Sequence, residues 1–493
     1  MRTRALFQIG VISLLFLSST ASSEAEPPQA ASLQPGDWNA ELRLPEARDL
    51  NPDPNIVEIN LEARIATVDI AGRKAQVWTY DGGIPGPLIR GNVGDRLIVH
   101  FTNKLPDPTT VHWHGVRVPI QMDGVPEISQ PEVQSGESFT YDFTLRDAGL
   151  YWYHPHVDSA KQVGFGLSGP LLVSDPSENV GVGDEMVLAL NDIELDEKGE
   201  LASPDSGGTA AMAFGREGNI VLVNGKANAR IAARAGAPQR WRVVNMAKTR
   251  YFNLHLRDAG SILTKIGGDD GLMEYPTKGD LIVLAPGERA DLIVTPKGKP
   301  GSEIEVMSEL YNRGYGSIEF RLPEILFRIA LTNAPVYVAK PLPQIKRTIE
   351  PLSALNATPI SLVLEIIRNN DRTNEYRING KPFWRAKPIQ ASLGETQLWT
   401  VTNNTDWSHP MHIHGFFFQV LDKDGQPKRP LQWKDTVDVP LRQTVRLLVK
   451  FDERPGQWMV HCHILDHAEG GLMTTVQVGE GPLTEHSHRT PGY

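Results

Sequence analysis

Four histidine pairs with a single residue between their members punctuate the chain: His112/His114, His154/His156, His412/His414 and His461/His463. Imidazole is a common metal ligand and suits Cu, Zn, Fe and Ni. On an extended strand, residues i and i+2 share a face about 6.5 Å apart, so each pair can aim two rings at one metal region. With His409 and His467 beside them, these motifs hold ten of the 14 histidines. Cys462, the single cysteine of the 493 residues, lies between His461 and His463. Its sulfur points to the other face of that strand. It can therefore bind one metal while the imidazoles bind others behind it, with two peptide links bridging the sites. Cys with two His is the ligand set of a blue-copper centre. Zinc held by Cys, His and water is the competing reading, and it leaves the other pairs unexplained. One cysteine excludes an intrachain disulfide framework and any Cys-rich zinc or iron–sulfur site.

The elements that must position these residues read as strands. Apolar residues make up 40% and charged residues 22%, with 44 Gly and 37 Pro. Short Val/Ile/Leu/Thr runs alternate with turn residues, as in 95–102, 239–245 and 397–402, which predicts β-sandwich or barrel domains. Length alone suggests about three domains. An internal repeat says the same. Gly94 to Asn103, Gly236 to Asn245 and Gly394 to Asn403 each combine a Gly turn, an alternating strand and a closing Asn. Nine and eleven residues past that Asn stand His112/His114, Leu254/Leu256 and His412/His414. The outer copies share a second segment, in which Gly149 to His156 matches Gly456 to His463 and Pro155 takes the place of Cys462.

His112-Trp-His-Gly115, Tyr153-His-Pro-His156, His409-Pro-Met-His-Ile-His-Gly415 and His461-Cys-His-Ile-Leu-Asp-His467 resemble, in order, the four copper motifs of the multicopper oxidase family, of which laccases are the best-known members. The resemblance covers nearly the whole mature chain. It implies an all-β chain of three cupredoxin-like Greek-key barrel or sandwich domains. We place them at residues 40–177, 178–345 and 346–480, after a signal peptide over 1–25 and before a tail over 481–493. It also implies four coppers. A type 1 copper would sit on His409, Cys462 and His467. A trinuclear cluster would lie between the first and third domains, with type 2 copper on His112 and His412. Its type 3 pair would be held by His114, His154, His156, His414, His461 and His463. Electrons would pass from an outer-sphere donor through Cys462 to His461 and His463 and reduce dioxygen to water.

Two positions depart from the family pattern. The place of the frequent axial Met, ten residues after Cys462, is Leu472; Met473 would face the other way along a strand. A non-coordinating apolar group predicts a higher type 1 potential. In many bacterial members a Glu directly follows the last copper His, where this chain has Ala468 and then Glu469. Asp123 and Glu469 are the carboxylates expected to serve proton delivery. Gly225, Asp269, Gly271 and the run Ala285 to Arg289 resemble second-domain features and are read as turns and domain packing. His100 and His255 are read as structural, and His486 and His488 as a solvated end.

The expected activity is laccase-like oxidation of a small aromatic reductant, a phenol or aromatic amine, with dioxygen as acceptor. The alternative is oxidation of a reduced metal ion (cuprous, manganous or ferrous) for metal tolerance. Ten Met scattered without a cluster argue against a specialised Cu(I) oxidase. A copper-free scaffold would have lost ligands, and a copper nitrite reductase fits the paired motifs poorly. The donor is expected at the edge of His467, in a pocket made by loops such as 196–218. A net charge of −10 argues against a nucleic-acid partner. Arg2 and Arg4, an apolar stretch to Leu17 and small residues up to Ala25 predict a cleaved Sec-type signal, a periplasmic or secreted mature chain and no membrane span in it. Thr3 separates the two arginines, so the twin-arginine signature is absent.

Overall fold

A computed structural model describes residues 31–481, apart from 258–259, 315–321, 339 and 369–373. The predicted signal segment and His486 and His488 lie outside the described residues. Among the described residues six sheets form three successive two-sheet units. Strands from Ile56–Ile70 to Gly169–Ser174 build the first, Glu185–Ile193 to Glu324–Leu331 the second, and Thr358–Arg368 to Met473–Val478 the third.

The repeat in sequence is a repeat in topology. In each unit the opening strand pairs in parallel with the repeat strand: Ile56 with Arg96, Glu185 with Arg240, Thr358 with Gln397. The Asn that ends each repeat strand is buried. Its side chain does the same work three times. Asn103 Nδ2 donates to the carbonyls of Asp107 and Val133, Asn245 to those of Arg250 and Leu284, and Asn403 to those of Trp407 and Val439, all within 2.7–2.9 Å. Its Oδ1 accepts the N–H two residues on, at Leu105, Ala247 and Thr405. An amide that satisfies backbone groups in a buried loop fixes where the next strand begins.

That next strand carries the histidines in the outer units. His112–His114 pairs antiparallel with Gly149–His154, placing His112 opposite His154. His409–Ile413 pairs with Gly456–Cys462, placing His412 opposite His461. Strand alternation sends Trp113 into the aromatic core of the first unit and Met411 and Ile413 into that of the third. In the middle unit Leu254 and Leu256 are buried in that unit's own core. Each buried leucine contributes about 1.5–3 kcal/mol there. The middle copy thus uses these positions for stability.

The outer units also meet through two short helices. Ser159–Gly164 and Leu465–Glu469 pack together through Ala160, Val163 and Leu465. A further apolar cluster, including Leu150, Trp152, Val187 and Val244, joins the first unit to the second.

Candidate metal centre

All ten motif histidines and Cys462 fall into two neighbouring assemblies. In the first, which lies within the third unit, Cys462 Sγ is 3.5 Å from His409 Nδ1 and 3.9 Å from His467 Nδ1, and the two Nδ1 atoms are 3.2 Å apart. Each ring is held from behind. The His409 Nε2–H donates to the Thr405 hydroxyl at 2.8 Å, and the His467 Nε2–H donates to the Ala213 carbonyl at 3.1 Å. Tying the outer nitrogen fixes the tautomer that leaves Nδ1 free for a metal. Leu472 is fully buried in the same core as Cys462, and its carbonyl accepts the Cys462 N–H. Met473 lines a different cavity, on the side of His461.

The second assembly spans the first and third units. Three groups have ligand atoms within 4.8 Å of one another: His112, His114 and His412; His114, His154 and His463; His156, His414 and His461. Three of the four pairs are split between groups, and only His112 and His114 share one. His154 joins His114 and His463, while His156 joins His414 and His461, and each group draws on both outer units. Strand alternation also covers only part of the design. His156, His414 and His463 lie just beyond the ends of their strands.

Nδ1–H groups of His112, His412, His154 and His461 donate to the carbonyls of Asp123, Asp435, Pro155 and Cys462 at 2.7–3.0 Å. That leaves the opposite nitrogens facing inwards. Nε2 of His112, His154 and His412, both ring nitrogens of His463 and Nδ1 of His114 are buried without a hydrogen-bond partner among the described residues. Buried polar atoms normally find partners. This concentration of orphaned lone pairs fits metal ions. Burial, reinforced by neighbouring imidazoles, lowers the pKa of nine of the ten rings, to about 3 at His461, and so keeps them neutral and able to ligate. Burial pushes the Cys462 thiol up, so the metal itself must drive its deprotonation.

Carboxylates lie close by. Asp123 is buried and accepts the His414 Nδ1–H at 2.8 Å through Oδ2, while its backbone carbonyl holds His112. It thus binds a histidine from each outer unit. Glu469 accepts the Ala160 N–H at 2.8 Å and lines a cavity of about 170 Å³ with His156, His461 and Met473. Burial raises its pKa to about 8, opposed chiefly by that N–H.

Several supporting residues lacked a local sequence signal. Arg289, read as domain packing, is fully buried and donates to Leu150 of the first unit, to Gly287 and Asp269 of its own, and to Asp435 of the third. Arg216 of the middle unit clamps Asp466, the neighbour of His467, through its backbone N–H at 2.7 Å and its guanidinium. The helix Gly208–Phe214 then covers His467, which is fully buried. The donor-facing edge expected there is closed. Thr405, by contrast, lies only four residues before His409, within reach of sequence reasoning. His100 bonds Glu58, and His255 bonds Glu309, both away from the metal-ligand groups.

Sequence-family models described as multicopper oxidase match residues 62–178 and 357–482. The chain is 31% identical to the multicopper oxidase MmcO of Mycobacterium tuberculosis, over 85% of this chain and 86% of that protein. It is 26% identical to a laccase of Bacillus subtilis, over 82% of this chain and 90% of that one. A multicopper oxidase from Campylobacter jejuni, described as a metallo-oxidase, superposes with a TM-score of 0.78 at 28% identity, covering 89% of this chain and 94% of that structure.

Proposed function

Because the chain belongs to the multicopper oxidase family, we propose that it is a laccase-like oxidase that withdraws single electrons from phenols or aromatic amines and reduces dioxygen to water. The observation that carries this reading is the sorting of one sulfur and ten imidazoles into one three-ligand group and one eight-histidine group, with inward-facing nitrogens left unpartnered. His409, Cys462 and His467 hold the type 1 copper. His112 and His412 hold type 2, and the remaining six histidines hold the type 3 pair. When bound, the four coppers supply one-electron oxidation at one end and four-electron reduction of dioxygen at the other.

The protein's own residues set the conditions for that chemistry. The peptide bonds of Cys462 to His461 and His463 make a short covalent path between the two assemblies. Carbonyl and hydroxyl partners orient the rings, so little reorganisation accompanies a change of charge. The cavity beside His156 and His461 gives dioxygen and water a way in. Glu469 faces that cavity and burial raises its pKa, which favours the protonated carboxyl, so it is the proton donor we favour. Asp123 holds His112 and His414 and is the second carboxylate of the site.

We also place the mature chain in the periplasm or outside the cell. The support is the signal pattern over residues 1–25. Among the described residues no helix is long and apolar enough to cross a membrane.

The test is copper stoichiometry with a visible spectrum, before and after Cys462→Ser, alongside oxygen uptake with phenolic and aromatic-amine donors. We expect four coppers, a blue band abolished by the substitution, and donor-dependent oxygen uptake. A colourless wild type holding one zinc sinks the assignment, and no oxygen uptake with any such donor sinks the activity.

A further inference from the structure

The two histidines beside Cys462 are closed off from solvent in different ways. His467 Nε2 meets the Ala213 carbonyl beneath the helix Gly208–Phe214. His409 Nε2 meets the hydroxyl of Thr405, and Thr405 also lines a surface cavity of about 410 Å³. That volume suits a small organic molecule. Thr405 is 4% exposed and forms the floor, one hydrogen bond from the ring. Phe214 and Trp407 wall the cavity, with ring centroids 5.6 Å apart in an edge-to-face pair, and Phe214 is 39% exposed. The exposed Phe214 and half-buried Trp407 together offer a stacking surface to an aromatic guest.

The charges of this cavity narrow the guest further. Arg368 and Arg442 line it from exposed positions. Its carboxylate lining residue is Asp406, which is already bonded to Arg442 Nε at 2.8 Å. Among its described lining residues there is no Met, Cys or His. A reduced metal ion would find neither soft ligands nor a free pair of carboxylates. An organic anion would find the guanidinium of Arg368, since Arg442 already serves Asp406 and the Asn404 carbonyl.

We propose that this cavity is the donor site, and that its ligand is a small phenol carrying a carboxylate. The inference rests on the phenol-oxidising reading above. The ring lies against Phe214 and Trp407, the carboxylate faces Arg368, and the electron leaves through Thr405 to His409. Each phenol gives up one electron inwards and its hydroxyl proton to water, and departs as a phenoxyl radical. Four such events supply the four electrons that one dioxygen consumes. The four protons released match those taken up in forming two waters.

The experiment separates site from activity. Binding of 3,5-dimethoxybenzoate, which has no phenolic hydroxyl to oxidise, is measured by calorimetry on copper-loaded wild type, Trp407→Ala and Arg368→Ala. The variants' blue bands and copper contents should match wild type. We expect about tenfold weaker binding in each variant. KM for 4-hydroxy-3,5-dimethoxybenzoate should rise about tenfold in both. KM for its neutral methyl ester should rise in Trp407→Ala alone, a split that general loosening of the fold does not produce. Unchanged binding and unchanged KM in both variants overturn the site while leaving phenol oxidation standing. A wild type that binds the benzoate yet oxidises no phenol overturns the proposed activity and leaves the site standing.

Discussion

Arg289 Nη1 lies 2.8 Å from Asp435 Oδ1, and that same oxygen is 3.2 Å from His114 Nε2. The Asp435 backbone carbonyl accepts from His412. A middle domain that supplies none of the proposed ligands therefore holds two rings of the proposed cluster through one ion pair. Both side chains are buried, and removing one partner of such a pair costs about 3–5 kcal/mol. Arg289→Met should lower the melting temperature and deplete cluster copper while the blue band of any folded protein persists. Copper analysis with EPR of the type 2 signal checks this, and a full copper complement in the variant contradicts it.

Gly287 makes a second such contact. Its φ is +86°, and a Cβ there would stand 2.9 Å from His114 Cε1 and 3.1 Å from His463 Cδ2. Gly287→Ala should push both rings from their places, because the backbone conformation already disfavours a side chain. Reduced copper occupancy at the cluster with an unchanged blue band is the expected outcome. Oxygen uptake should fall with the copper content.

Leu472→Met tests the axial position. The exchange conserves volume and should cost less than about 1.5 kcal/mol. A thioether near the type 1 copper donates electron density that leucine does not, so the potential should drop. A redox titration followed at the blue band decides the matter, and an unmoved potential would place residue 472 outside the copper's reach.

Copper-free protein should show a pH dependence that copper-loaded protein lacks. Nine ligand histidines have lowered folded pKa values, with His461 and His467 moved from 6.5 to about 3 by burial first and neighbouring charge second. A depressed folded value means the unfolded chain binds more protons. Stability is then complete above about pH 6.5, the unfolded value, and is lost as pH falls towards the folded value. Melting temperature of the copper-free form should decline steeply from pH 7 to 5, and that of the loaded form much less. Parallel curves would count against buried neutral histidines.

Glu469→Gln should slow turnover by about 100-fold. Donor KM and the blue band should hold, because the side chain faces the cavity by His156 and His461 and lies outside the type 1 group. Reoxidation of fully reduced enzyme by dioxygen is the step to time. A variant that reoxidises at the wild-type rate removes Glu469 from proton delivery.

The three-unit organisation was readable because it rests on short-range spacing. Asn103, Asn245 and Asn403 close the same turn at the same offset, and the His-x-His motifs follow at a fixed distance. Thr405 is similarly local. Arg289 was not readable in its full role, because its partners Leu150 and Asp435 lie 139 and 146 residues away. Nor was the splitting of three of the four histidine pairs, which depends on how the first unit docks on the third. The sealing of His467 was hidden for the same reason, since Ala213 comes to it from another domain.

The helix over His467 belongs to a domain with none of the metal ligands. One wall of the proposed donor cavity thus comes from the middle unit, and the rest comes from the third. Thr209, Ala210 and Phe214 line that cavity and can vary, whereas the Ala213 carbonyl and Arg216 hold His467 and Asp466 and must stay. A lineage can try new reductants at those three positions and keep the reaction that consumes their electrons.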